Sequence, residues 1–79
     1  MDLFEAIKVR IKNLIIERNL TASKLSSLAG ISRSTLSKFM SGKRKSLELK
    51  TIEFICERLN IKLKDFFNDS LFDNIDIKD

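Results

Sequence analysis

Several residue types that serve catalysis, metal binding or cross-linking are missing or rare in this chain. Its 79 residues contain no histidine, tryptophan, tyrosine or proline, only two glycines, and a single cysteine, Cys56. A lone cysteine without a base beside it offers no nucleophile–base pair, and no cluster of metal ligands is present. One cysteine also excludes an internal disulfide, which fits a reducing compartment. The sequence therefore predicts no enzyme, no metal site and no cofactor.

Long apolar runs are also absent. No stretch approaches the length that spans a membrane, and the first ten residues mix acids with bases rather than forming a signal peptide. Nothing in the sequence resembles a linker, since prolines and low-complexity segments are missing. We therefore expect one small cytoplasmic domain without membrane contact. Its core is of marginal size, so oligomerisation would stabilise it.

Charge is distributed unevenly along the chain. The net charge is +4 overall, but residues 1–67 hold fourteen basic and seven acidic side chains, a balance of +7. Residues 68–79 hold one basic and four acidic side chains, a balance of −3. A basic body followed by an acidic tail suits a polyanionic partner for the body. The alternative is a basic surface that serves only solubility.

The chain is organised around residues 21–41, where two short helical patterns meet at Gly30. Thr21 and Ser32 stand where a side-chain oxygen can cap each helix. Gly30 follows the first helix, where a left-handed backbone conformation is needed. The turn is therefore tight, and the two helices cross steeply. Apolar residues recur at helix spacing in both patterns: Leu25, Leu28 and Ala29, then Leu36, Phe39 and Met40.

The exposed face of the second helix, residues 32–41, carries only small or cationic side chains. They are Arg33, Ser34, Ser37 and Lys38. Short hydroxyls and long cations on a helix can reach base edges in the major groove of double-stranded DNA. The alternative is an ordinary helical hairpin within a small bundle, a common arrangement.

This helix-turn-helix resembles that of the Cro/CI-type (XRE) family of phage and bacterial repressors, and the resemblance extends over residues 7–67. It implies an all-α, five-helix, lambda-repressor-like DNA-binding domain over residues 1–67. It also implies base reading from the positions of Arg33, Ser34 and Lys38, with Ser37 a weaker candidate. Phosphate contacts are expected from the start of the first motif helix and from the loop after the second, at Ser23, Lys24, Lys43, Arg44 and Lys45.

The loop over residues 41–46 is the most basic stretch of the chain. Gly42 lets the backbone turn, and three cations follow it. Beside a recognition helix, such a loop meets the sugar-phosphate backbone and releases counterions. An isolated run of this kind is more often a solvated surface segment. Its placement favours the DNA-binding interpretation.

Three further helices are expected, over residues 2–18, 47–59 and 61–67. Leu3 and Leu49 are assigned to inward-facing apolar stripes. Asn19 and Asn60 are expected to end their helices, since asparagine tolerates the left-handed conformation. Ser46 is expected to cap the fourth helix.

Two departures from the family pattern concern the motif itself. The family usually places an arginine at Ile15 and a glutamate at Met40, and here both are apolar. We therefore expect the side chains of Ile15 and Met40 to touch, because an apolar pair can replace a buried ion pair. The family also usually has a glutamine at Ala22 that links the DNA backbone to the bases, and that contact is lost.

Residues 68–79 lie beyond the usual end of the family domain. An acidic terminus is disordered by default, but four large apolar residues within 71–77 suit packing on a second subunit or a partner protein. We expect a homodimer on a palindromic site, with a dimer surface through Phe67, Leu71 and Phe72. The predicted function is a transcriptional repressor. The alternative is an antitoxin-like interaction module whose tail binds another protein.

Overall fold

The computed structural model describes residues 1–77, so the last two residues of the predicted tail lie outside it. Within that range the chain forms five α-helices and one short 3₁₀ turn, as the predicted all-α domain requires. The helices are α1 Leu3–Glu17, α2 Ala22–Ala29, α3 Arg33–Met40, α4 Leu49–Leu59 and α5 Leu63–Phe67, and the 3₁₀ turn is Ser70–Phe72.

The helix ends follow local side-chain chemistry. Thr21 caps α2 by accepting a hydrogen bond from the Lys24 backbone N–H at 3.0 Å. Asn19 and Asn60 adopt positive φ angles of 55° and 57°, so both predicted helix ends are confirmed. Ser32 occupies the position before α3 but makes no side-chain capping bond, so only its place was predicted correctly.

The start of α4 differs from the prediction. The helix begins at Leu49, with Glu48 rather than Ser46 at the capping position and no side-chain capping bond. Leu47 lies in extended backbone before the helix and is buried, whereas Leu49 is 64% exposed. The prediction for Ser46 and Leu49 was wrong because Leu47 inserts into the core from the preceding segment, and the helix starts only after it.

A single apolar core joins all five helices. Ile15 is buried in it, and Met40 packs against the same cluster from the end of α3. The direct contact between these two side chains stays a prediction. Leu3 is 41% exposed, contrary to its assignment, because the first turn of α1 lies at the edge of the core. The buried cluster comprises Ile7, Ile11, Leu14, Ile15, Leu25, Leu36, Phe39, Leu47, Ile52, Ile55, Cys56, Leu59 and Phe66.

The acidic tail packs on its own subunit. The 3₁₀ turn lies against α1, and the Phe72 ring meets the Phe67 ring at a centroid distance of 5.1 Å. Further along, the Asp76 backbone N–H donates to the Met1 carbonyl at 3.1 Å. Phe72 of the tail therefore packs within its own chain, whereas Ile77 is 93% exposed. The expected packing of the tail on a second subunit or a partner protein stays a prediction.

Arg10 ties α1 to α5 and to the tail. Its Nε donates to the Phe66 carbonyl at 2.8 Å and its Nη2 to the Asp65 carbonyl at 3.1 Å. Its Nη1 pairs with the Asp69 carboxylate at 3.3 Å. Its guanidinium also lies 5.7 Å from the centre of the Phe66 ring. One largely buried side chain thus satisfies the carbonyls at the end of α5 and anchors the tail.

Arg10→Met is expected to lower the free energy of unfolding by about 2–3 kcal/mol, because it leaves two carbonyls and one carboxylate without their charged donor. Urea unfolding of the variant and the wild type measures the loss. The control is Arg58→Met, which removes an exposed arginine of α4. Equal losses in the two variants would show that Arg10 does not anchor the tail.

Candidate nucleic-acid interface

The eight residues of α3 are held as a helix by packing. Isolated helices shorter than about 12–15 residues are marginal in water, so α3 depends on its buried side chains. Leu36 and Phe39 are 0% and 1% exposed and fix one face of the helix in the core. The other face is left to solvent. It carries all four predicted base-reading residues in exposed positions: Arg33, Ser34, Ser37 and Lys38.

The turn before α3 sets its direction. Gly30 adopts a left-handed conformation with φ of 68°, as the sequence predicted. This conformation lets the Ile31 N–H donate to the Ser26 carbonyl at 3.0 Å, closing the end of α2. The Ser26 side chain is buried and donates to the Ala22 carbonyl at 2.9 Å. Since α2 also packs against α3 and α4, the motif is held as one rigid unit.

Gly30→Ala is expected to destabilise the protein by about 1–2 kcal/mol through left-handed backbone strain. Steric conflict contributes nothing, because a Cβ at this position meets no atom within 4 Å. Gly30→Asn should cost less, since asparagine already adopts positive φ at two positions in this chain. Urea unfolding measures both variants, and an Asn variant no more stable than the Ala variant would contradict the explanation.

A shallow groove runs between the start of α2 and the exposed face of α3. It brings three predicted base-reading residues, Arg33, Ser34 and Ser37, next to the predicted phosphate ligand Ser23. Lys24 and Lys38 are exposed but do not line it. Its remaining walls come from Ala22, Met40 and Ser41. The groove therefore joins the beginning of one motif helix to the length of the other.

The basic loop is tied to the end of α3. The Lys38 carbonyl accepts hydrogen bonds from the Arg44 N–H at 3.0 Å and from the Ser41 hydroxyl at 3.2 Å. Gly42 turns the chain with φ of 85°. These bonds place the loop that carries the exposed cations directly beside the end of α3. The three loop cations are Lys43, Arg44 and Lys45.

The loop cations differ in their surroundings. Arg44 lines a hollow beside the start of α3, together with Ser32, Thr35 and Glu48. Arg44 and Lys45 both line a second hollow beside the first turn of α1, which Asp2 and Glu5 also line. The sequence treated the three cations as one run, but in the fold two of them share hollows with acidic residues.

Lys8 is a further cation beside this loop, and the sequence analysis assigned it no role in binding. It lines the same hollow as Lys45, and its Nζ lies 3.9 Å from where a Cβ on Gly42 would stand. No local signal identifies it, because the helix and the loop meet only through tertiary packing.

The interface is free of negative charge along a long part of the chain. Residues 18–47, from the end of α1 to the approach to α4, contain seven lysines and arginines and no acid. Within residues 1–77, Arg10 and the Met1 amino group pair with Asp69 and Asp76, whereas Lys8, Arg44 and Lys45 share hollows with acidic residues. The exposed cations of α3, Arg33 and Lys38, lie outside those hollows and are available to an anionic ligand.

A family model of the Cro/C1-type HTH DNA-binding domain matches residues 10–70. The chain belongs to this family. This membership confirms the predicted resemblance and supports a DNA-binding transcription regulator. The α2–α3 groove and the basic loop both lie within the matched residues, at the helix-turn-helix of this Cro/C1-type domain.

A solved structure agrees with the family assignment. The crystal structure of the prophage Lp1 protein 11 superimposes with a TM-score of 0.81 at 29% sequence identity, covering 95% of this chain and 100% of that one. Comparison with curated proteins gave no match. The similarity therefore extends beyond the helix-turn-helix to nearly the whole Cro/C1-type chain.

Residues 1–77 contain no group of three or more potential metal ligands, and no helix among them is long and apolar enough to cross a membrane. Cys56 is buried, and burial raises the pKa of its thiol. It acts as a small core residue, as predicted.

Proposed function

We propose that this chain represses transcription by inserting α3 into the major groove of double-stranded DNA, as a cytoplasmic homodimer on a palindromic site. The observation that carries the proposal is the exposed, acid-free face of α3, bordered by the start of α2 and by the basic loop. Ser23 of α2 and Ser41 of the loop line the same groove beside that face, and the loop is hydrogen-bonded to the Lys38 carbonyl. A helix in the major groove brings such neighbouring groups close to the sugar-phosphate backbone.

Base reading is assigned to the outer face of α3. Arg33, at the first position of the helix, can donate two parallel hydrogen bonds to guanine O6 and N7. Ser34 and Ser37 reach any base edge with a single hydroxyl, and Lys38 supplies a second long donor. Family members read DNA with side chains at the helix start, which is where Arg33 and Ser34 stand.

Phosphate binding is assigned to Ser23, Lys24 and the basic loop. The hydrogen bonds to the Lys38 carbonyl fix the loop against α3, so its cations are placed before DNA arrives. Lys8 joins this set, since its ammonium lies beside the Gly42 backbone. Each neutralised phosphate releases counterions, so these residues supply affinity that depends on salt.

Arg33→Ala is expected to weaken binding to the preferred site by about 1–3 kcal/mol and to blur the base preference at one position, because a bidentate contact is lost. Lys43→Ala should weaken all duplexes alike and lower the slope of log K against log salt by about 0.9, because one phosphate contact is lost. Fluorescence anisotropy on preferred and scrambled duplexes over a salt series measures both effects.

The control for Lys43→Ala is Lys64→Ala, which removes an exposed lysine of α5 away from the motif. Its salt slope should match the wild type. If Arg33→Ala and Lys43→Ala weaken every duplex by the same factor, the assignment of separate roles to α3 and the loop is wrong.

The dimer follows from the small contact that one copy can make. A single module buries too little DNA surface for tight specific binding, and two-fold symmetric proteins read palindromic sites. The proposed surface includes Phe67, Leu71 and Phe72. Phe67 and Phe72 pack against their own core and are only partly exposed. A second copy would cover Leu71 and the parts of Phe67 and Phe72 that remain exposed.

A selected operator should contain two half-sites about 34 Å apart, one helical turn. Inserting five base pairs between them turns the half-sites to opposite faces, so binding should weaken by about 10²-fold as the second copy loses its linked contact. Inserting a full turn should restore part of it. Selection from a random duplex pool followed by spacing variants measures this, and indifference to a half-turn insertion would exclude the symmetric dimer.

The interaction-module alternative has less support. With Phe72 packed on Phe67 and Ile77 93% exposed, the tail would suit a partner protein as well as a second copy. The family model, in contrast, favours DNA binding. We therefore place DNA binding first.

A further inference from the structure

In an otherwise polar interface, two apolar residues, here called the apolar floor, line the groove between α2 and α3. Ala22, at the first position of α2, and Met40, at the last position of α3, both line it. The remaining lining is Ser23, Arg33, Ser34, Ser37 and Ser41. Two positions at which this chain departs from the usual family sequence therefore meet at one concave spot beside the base-reading residues.

The hollow stays open because its neighbours are small. Ala22 contributes only a methyl group, and Ser34 and Ser37 carry the short side chains of the adjoining wall. Met40 is half-buried against the core, and its unbranched thioether adapts to the shape of what it contacts. The buried Ser26 hydroxyl bonds to the Ala22 carbonyl at 2.9 Å and keeps the start of α2 in place.

The group that could contact this apolar floor must be one of the groups that DNA exposes in its major groove. On the major-groove edges of the four bases, the apolar group is the C5 methyl of thymine, and alanine is among the side chains that contact it. Serine hydroxyls of the same groove can bond polar base edges, but Ala22 and Met40 offer only apolar contact, which a methyl group can use. We propose that the Ala22–Met40 floor receives a thymine methyl group, so that each half-site requires T·A beside the base read by Arg33.

This inference depends on the proposed function, since it assumes that α3 lies in the major groove. It adds a specificity that the hydrogen-bonding residues do not supply. Deoxyribose also offers apolar C–H groups, but every nucleotide carries the same sugar. A sugar in the hollow would therefore give no preference for thymine, which separates the two occupants.

The test removes the methyl group and nothing else. In the duplex selected by the wild-type protein, each thymine of a half-site is replaced in turn by deoxyuridine, and binding is measured by anisotropy. At one position the loss should be about fourfold, the value for one buried methyl group. Placing cytosine there should weaken binding, and 5-methylcytosine should restore about fourfold of the loss.

Variants locate the effect. Ala22→Gln fills the hollow with a polar side chain, and Ala22→Ser adds one hydroxyl to its floor. Both should reduce the thymine-to-deoxyuridine affinity ratio towards one. The matched control is Ser27→Gln, an exposed position of α2 outside this groove, which should keep the fourfold ratio. Circular dichroism confirms that each variant is folded.

The outcomes separate the two proposals. If the wild type binds no duplex, the proposed function fails. If it binds but no deoxyuridine replacement weakens binding, the thymine contact is wrong and the proposed function stands. A fourfold ratio that survives in both Ala22 variants would place the methyl group elsewhere and also overturn the inference.

Discussion

The interface depends on the burial of Leu36 and Phe39. A helix of eight residues does not form by itself in water, because too few hydrogen bonds compensate the cost of nucleation. These two side chains, almost fully removed from solvent, hold α3 on the core of the domain. The same burial decides which face remains outside. The cations and hydroxyls of α3 are therefore presented by a rigid element, although they make few contacts with the rest of the protein.

Charge and packing are separated in this small domain. The motif and its flanking loop carry positive charge without acids, whereas the acids of the tail lie near α1 and α5. Arg10 enforces this arrangement, because its guanidinium binds Asp69 together with two backbone carbonyls. The tail thus contributes packing through Phe72, while its first carboxylate, that of Asp69, pairs with Arg10 of α1.

Replacing charge with apolar groups changes the interface as well as the interior. At two positions where the resemblance implies an ion pair in the family, Ile15 belongs to the apolar cluster and Met40 packs against it. Met40 also reaches the groove that Ala22 opens. Because Met40 packs against the core and also lines the groove, it places an apolar surface beside the proposed base-reading residues. The stability of the core and the proposed specificity are linked through this one side chain.

The sequence by itself determined the features that a few neighbouring residues encode. The sequence correctly predicted left-handed helix ends at Gly30, Asn19 and Asn60 and a helix cap at Thr21. These features depend only on local backbone conformation and nearby hydrogen bonds. The cation pattern of α3 was equally readable, since helix periodicity alone assigns its faces.

The tertiary structure alone decided what distant segments do to one another. In the folded chain Leu47 is buried in the core and Leu49 is exposed. The two residues have identical side chains and lie two positions apart, so only their packing against the other helices distinguishes them. The tertiary structure also folded the tail onto α1, placed Lys8 beside Gly42 and joined Ala22 to Met40. Such contacts follow from how helices pack around a shared core, and no local pattern in the chain records them.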